Sequence, residues 1–291
     1  MQTEQLRTPG VWSFTDGLTT PDAAAFAARV EELGYSALWL PDTMGRDPFA
    51  HIAFLATHTS TLVFATGIAS IFHRHPGAMR QASMTLADQT GGRFLLGLGV
   101  SHQPMVEGLR KLDYARPLAQ MRDYLEVMDQ SPYSSIAPAD PPPRVLAALG
   151  PKMLALSASA ADGAHPYWTT PEHTASAREI LGPGKLLCVE QKVVVTTDAT
   201  AAREAATLAV SQYAALPNYR NNWKRLGYTD DEIDSRAERF LDAVVAWGDE
   251  AAVRRRIDAH YEAGADHVCI QSLSTESRHT DLRGLEALAP A

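Results

Sequence analysis

Cysteine is nearly absent from this chain: Cys188 and Cys269 are the two in 291 residues. Each sits inside an apolar, β-like run, where a free thiol behaves as a small buried hydrophobe, so neither a disulfide framework nor a thiolate cluster is expected. No apolar run is long enough to cross a membrane. The opening segment Met1–Gly10 is polar and reads as neither a secretory signal nor a spanning helix, so a cytoplasmic protein is the expectation. Basic charge is also short, with 26 Lys and Arg against 34 Asp and Glu and a formal net charge of −8. That balance argues against nucleic acid or an anionic membrane as a partner.

Familiar catalytic signatures are missing as well. His73-Arg74-His75 lacks the spacing of metal ligands, and no metal site is expected. Gly99-Val100-Ser101-His102 is not a nucleophile elbow, and no Walker sequence occurs. Gly97-Leu98-Gly99 lacks the third glycine and the acidic partner of a dinucleotide fingerprint.

What remains is a large apolar fraction, 45%, spread without a compositional break over a length that α/β barrels reach as single domains. One domain over residues 1–291 is therefore expected. Leu62–Ile68 and Arg93–Leu98 are apolar β runs ending at glycines, with an amphipathic helix Pro76–Gln89 between them. Glycine at the carboxyl end of a buried parallel strand lets backbone approach a ligand.

The same alternation continues through the chain. Further strands are expected at Gly10–Phe14, Ser36–Leu40, Arg144–Leu149, Ala164–Trp168, Leu186–Val195 and His267–Gln271. Helices are expected at Pro21–Leu33, Pro48–Thr57, Pro117–Met128, Pro151–Ala161, Pro171–Leu181, from Ala199 onward and at Glu250–Ala263. Five prolines make residues 131–143 an irregular surface segment. Eight strands alternating with helices predict an α/β fold, a (β/α)8 TIM barrel. Residues 211–247 exceed a minimal barrel and carry Tyr213, Tyr219, Trp223 and Tyr228 before an amphipathic helix at Asp231–Val245. An insertion there overhangs the mouth as a lid, or packs its aromatics on the barrel wall.

A barrel puts its chemistry at the carboxyl ends of strands. That rule selects Ser13 and Phe14, Asp42 and Thr43, Gly67 and Ile68, Gly99 to His102, Gly150 to Met153, Trp168 to Thr170, and Gln271 with Ser272. His102 titrates near neutrality and is the acid/base candidate. At Gly150, Pro151, Lys152 and Met153 a helix begins directly after a strand, which suits an anion. Trp12, Phe14, Thr43, His73 and Trp168 are expected around the substrate pocket, and His75 is expected to cap the helix that starts at Pro76.

Several of these runs carry a resemblance. Gly10-Val11-Trp12-Ser13, Glu31 to Tyr35 leading into Leu38-Trp39-Leu40-Pro41-Asp42, Ala65-Thr66-Gly67-Ile68 with His75-Pro76 beyond, and Gly92 to Gly99 resemble the bacterial luciferase-like monooxygenase superfamily. The likeness is greatest to the subgroup that uses the deazaflavin coenzyme F420. It implies a barrel holding one flavin-like ring over a cis peptide at Gly67-Ile68, with Asp42 accepting a hydrogen bond at the ring's polar edge. It further implies that Gly99, Val100 and Ser101 hold the cofactor chain, that the Val145-to-Pro151 loop holds its phosphate, and that the protein is a homodimer. The helix Phe49–Ala56 is the expected interface. His102 stands where related sugar-phosphate dehydrogenases have a glutamate, and Thr43 where they have a histidine.

The activity implied is hydride transfer between F420 and a small organic substrate. An FMN-dependent monooxygenase fed by a separate reductase is the alternative on the same fold. A barrel that binds the cofactor without turnover is the alternative of another class.

Overall fold

The computed structural model describes residues 3–275 and 280–290. Met1 and Gln2 of the polar opening lie outside them. Eight parallel strands close into a ring: β1 (Gly10–Trp12), β2 (Ala37–Leu40), β3 (Val63–Thr66) continued by β4 (Ala69–Ser70), β5 (Phe94–Gly99), β6 (Arg144–Leu146), β7 (Gly163–Ala164), β8 (Leu186–Val195) and β10 (His267–Ser272). The seam is the pairing of β10 with β8, from His267 opposite Cys188 to Ser272 opposite Val193, and of β10 with β1.

Around the ring run α1 (Thr20–Glu32), α2 (Pro48–Leu55), α3 (Pro76–Gln89), α4 (Pro117–Gln130), α5 (Pro151–Ala160), α6 (Pro171–Leu181), α11 (Glu250–Glu262) and α12 (Leu282–Ala287). Six of them open on proline at a first helical position, where the missing N–H costs nothing. At α3 the preceding His75 accepts from Gly77 N through Nδ1 (3.1 Å), the expected cap.

Strand alternation sorts the residues into two cores. Trp12, Trp39, Ala65, Leu95, Val145, Cys188 and Cys269 fill the barrel interior. Leu38, Phe64, Leu96, Leu187 and Val189 pack outward under the helices. The large apolar residues Phe49, Ile52 and Leu55 of α2 are spent in that outer core, and Phe54 is its exposed large one.

A third core belongs to the insertion, built from α7 (Ala199–Val210), α8 (Pro217–Arg225), α9 (Asp230–Ser235), α10 (Glu238–Val244) and β9 (Val245–Gly248). Its Tyr219, Trp223 and Phe240 bury against Trp168, Tyr167 and Leu149 at the carboxyl ends of the barrel strands. The insertion thus roofs one side of the mouth, and its aromatics pack on the rim.

Three expectations are corrected. The single helix over Asp231–Val245 is two helices, because Arg236 adopts a left-handed conformation (φ +57°) between them. Val245 then leaves the helix for β9, which extends β8 beyond the barrel through Lys192–Val195. The strand expected over Ala164–Trp168 ends after Ala164, and Trp168 itself is left-handed (φ +59°). The first strand stops at Trp12, short of Phe14. Residues 131–143 hold no helix or strand, and among the described residues no helix is long and apolar enough to cross a membrane.

Candidate active site

The rim is built from the ends of β2, β3 and β5. The Gly67–Ile68 peptide is cis, and its two carbonyls are both engaged: Gly67 O accepts from Trp12 Nε1 (3.1 Å) and Ile68 O from Asp42 N (3.2 Å). The glycines here are a matter of space. A Cβ on Gly97 would meet the carbonyl of Thr66, and one on Gly99 the side chain of Ile68.

Asp42 lies beside the Gly67–Ile68 peptide, its amide bonded to Ile68 O, and its carboxylate is already committed. Oδ1 faces His73 Nδ1 at 3.0 Å, while Oδ2 accepts from Arg74 at 2.6 Å and from Ser70 N at 3.2 Å. Burial alone would raise this carboxyl; the hydrogen bonds and charges of His73 and Arg74 outweigh it and hold the group below its ordinary range. Arg74 also bonds Asp47, the cap of α2. Thr43 presents its carbonyl to Arg110 (3.1 Å), and Phe14 is 42% exposed with its edge on Trp12.

His102 sits after β5, one residue beyond Ser101, which is left-handed (φ +54°). Its ring lies 5.4 Å from that of Tyr219 in the insertion. Burial lowers its pKa, against a smaller opposing contribution from Asn218. Its Nδ1 is buried and has no hydrogen-bond partner, a condition it shares with Trp168 Nε1, Thr169 Oγ1 and Asn222 Nδ2. Buried polar atoms are rarely left unpaired, and these four collect around one side of the mouth.

The N-terminus of α5 follows β6 after the four residues 147–150. Gly150 is its cap residue, with no capping side chain, Pro151 opens the helix, and Lys152 is exposed in the first turn, ahead of the half-buried Met153. The Arg225 guanidinium stands above this turn: a Cβ on Gly150 would lie 3.4 Å from it. Unpaired amides, the helix dipole and two cations make this a place for an anion.

Reading the chain alone missed the groups inside the barrel. Lys192 Nζ bonds Glu190 Oε1 at 2.9 Å, with both side chains at most 1% exposed. The ammonium also lies 3.6 Å from the centroid of the Tyr167 ring and 3.8 Å from that of Trp168. Glu190 Oε2 accepts from Trp168 N (3.2 Å), and Trp168 O accepts from Trp223 Nε1 (3.0 Å), so the left-handed Trp168 is held from two sides. Tyr167 donates to Gln271 Oε1 (2.9 Å), and Tyr213 OH stands 3.3 Å from Tyr167 OH. Burial lowers Lys192 to about 8 and raises Glu190, each opposed by the other's charge. The signal was present: Glu190 and Lys192 fall two apart, on the inward face that Cys188 defines.

A closed parallel barrel with a cis peptide at the end of β3, a cationic helix N-terminus after β6 and unpaired polar atoms at one rim narrows the kinship. The profile of the luciferase-like monooxygenases matches residues 6–267. The chain belongs to that family. Among luciferase-like relatives, a protein of Mycobacterium tuberculosis, named provisionally as a coenzyme F420-dependent oxidoreductase, is 27% identical over 91% of this chain and 93% of its own. The coenzyme F420-dependent tetrahydromethanopterin reductase of Methanopyrus kandleri superposes with a TM-score of 0.74 at 18% identity, covering 91% and 92% of the two chains. The oxygenating constituent of 3,6-diketocamphane monooxygenase from Pseudomonas putida, in complex with FMN, superposes with a TM-score of 0.72 at 15% identity, covering 97% and 96%. The luciferase-like chain is therefore an oxidoreductase by family.

Proposed function

We propose that this luciferase-like protein is an F420-dependent oxidoreductase acting on a small organic substrate. The observation that carries the reading is the pairing of a glycine-walled rim around Gly67–Ile68 and Gly99 with a cationic helix N-terminus at Gly150. An apolar, backbone-lined seat together with a cationic helix N-terminus suits a flat ring on a phosphate-bearing chain. The F420-dependent relative spanning nearly the whole chain supports the deazaflavin over the flavin.

In this reading Lys152, Arg225 and the first amides of α5 hold the phosphate, Val100 and Ser101 flank the chain, and Gly67, Ile68 and Gly99 form the seat. When bound, the deazaflavin supplies hydride donor and acceptor chemistry at C5. The protein's own work is to orient, to exclude water and to handle protons. Trp12 braces the seat through Gly67 O, and the Tyr219–Trp223 roof closes over the His102 side. Burial keeps the His102 imidazole neutral, so it serves the substrate as a hydrogen-bonding wall rather than as a resident cation.

The second reading keeps the site and exchanges the ring for FMN, which the FMN-bound structural relative favours. Fluorescence titration of the purified protein with each cofactor decides between them. Micromolar or tighter quenching by F420 and weak quenching by FMN is the expected result; preference for FMN, or oxygen uptake with reduced FMN, would replace the first reading by the second.

A further inference from the structure

The Asp42 carboxylate has little left to offer a ligand. Three donors already reach it: His73 Nδ1, Arg74 and the amide of Ser70. A carboxylate so engaged passes its influence on through what it holds. Of its three partners, the Ser70 amide has no further proton, and Arg74 is spent between Asp42 and Asp47 over the Phe49 ring. His73 differs. Its Nδ1 lies 3.0 Å from Asp42 Oδ1, its Nε2 bonds to no described residue, and the side chain is 13% exposed, on the loop that follows the β3–β4 strand end.

With Nδ1–H donated to Asp42, the unprotonated ring presents Nε2 as an acceptor. An imidazole fixed in one tautomer by a carboxylate is a competent base, since the carboxylate also stabilises the imidazolium that forms. We propose that His73, oriented by Asp42, is the residue that takes up the substrate proton during hydride transfer. The inference rests on the hydride-transfer reading above.

For a hydroxyl-bearing substrate the step balances as follows. The O–H bond breaks and its proton joins His73 Nε2; the neighbouring C–H leaves with its electron pair as hydride to the oxidised deazaflavin; the C–O bond becomes C=O. The alcohol is oxidised by two electrons and the deazaflavin reduced by two, and His73 returns its proton to solvent. The charged groups packed about this ring are Asp42 and Arg74 with its partner Asp47.

The test has an arm that needs no cofactor. Long-range nitrogen–proton NMR of the protein alone should show His73 protonated at Nδ1, and Asp42→Asn should abolish that preference. F420 is then titrated by fluorescence, and oxidation of isopropanol and cyclohexanol is followed by loss of the deazaflavin's visible absorbance. His73→Gln should bind F420 within about threefold of the parent yet turn over about a hundredfold slower, with the rise of rate with pH lost. His102→Gln should slow turnover less than tenfold. An Nε2-protonated His73, F420 binding with neither alcohol oxidised, or an unimpaired His73→Gln variant each overturns the proposal while leaving the cofactor reading intact. Absence of F420 binding removes both together.

Discussion

At the scale of single residues, the buried pair Glu190–Lys192 invites the sharpest stability test. Taking two charges out of water is costly, and an apolar pair of similar volume is often no worse. Lys192→Met alone should destabilise the protein by about 3–5 kcal/mol, because it strands a buried carboxylate. The double variant Glu190→Leu with Lys192→Met should return to within about 1 kcal/mol of the parent or exceed it, as read by urea denaturation. Three wholly interior histidines set the acid limit. Burial depresses His165 and His267 to about 4 and His260 to about 3, from an ordinary 6.5. The unfolded chain then binds protons that the folded one refuses, so stability is complete above about pH 6.5 and drains away as pH falls toward 4. Denaturation midpoints at pH 7, 5.5 and 4.5 should decline accordingly, and His165→Phe should flatten the slope. Reading the chain put Asp42, Gly67 and Ile68 at strand ends and His75 at the start of a helix because glycine, proline and strand-end position speak locally. It could not see that Asp42 is engaged, since His73 and Arg74 reach it from another strand's loop.

At the scale of elements, most helices were legible because proline opens them and their apolar face repeats; Pro76–Gln89, Pro171–Leu181 and the strand Leu186–Val195 match to the residue. The short strands were overdrawn, since an apolar run continues past the point where pairing stops. The strand expected over Arg144–Leu149 shows this: it ends at Leu146, and its carboxyl half leaves the sheet to reach α5. The insertion was visible as a surplus of length, but its break at Arg236 was not, because an arginine carries no left-handed signal of the kind glycine gives. The role of α8 is testable. Arg225→Ala should weaken F420 about tenfold, a difference of about 1.4 kcal/mol, through loss of one charge-assisted contact at the α5 turn. The same variant should leave unchanged the binding of the bare deazaflavin chromophore that lacks the phosphate-bearing tail. Fluorescence titrations of both compounds, with salt varied, check it.

For the whole molecule, ring closure links distant parts of the chain into one cooperative body, and the eight-strand count was recoverable because each unit repeats the same punctuation. A ligand bound at the mouth by groups from the ends of β3 and β5, the start of α5 and α8 therefore stabilises the molecule as a whole. F420 present at a hundred times its dissociation constant should add about 2.7 kcal/mol to the unfolding free energy, seen as a single shifted transition by calorimetry. FMN at equal concentration should shift it less.

The long strand β8 belongs to two structures at once: residues 188–193 close the seam against β10 and its last four carry β9. The roof is thereby bolted to a stave and cannot swing as a separate door. Traffic into the chamber is then governed by the 103–116 connection beside the roof, which Arg110 hitches to Thr43 O and Tyr114 to Ser101 O, with Gln120 and the Phe72 ring bracing it besides. Slackening those two hitches would hasten arrivals and departures alike, leaving the ceiling undisturbed.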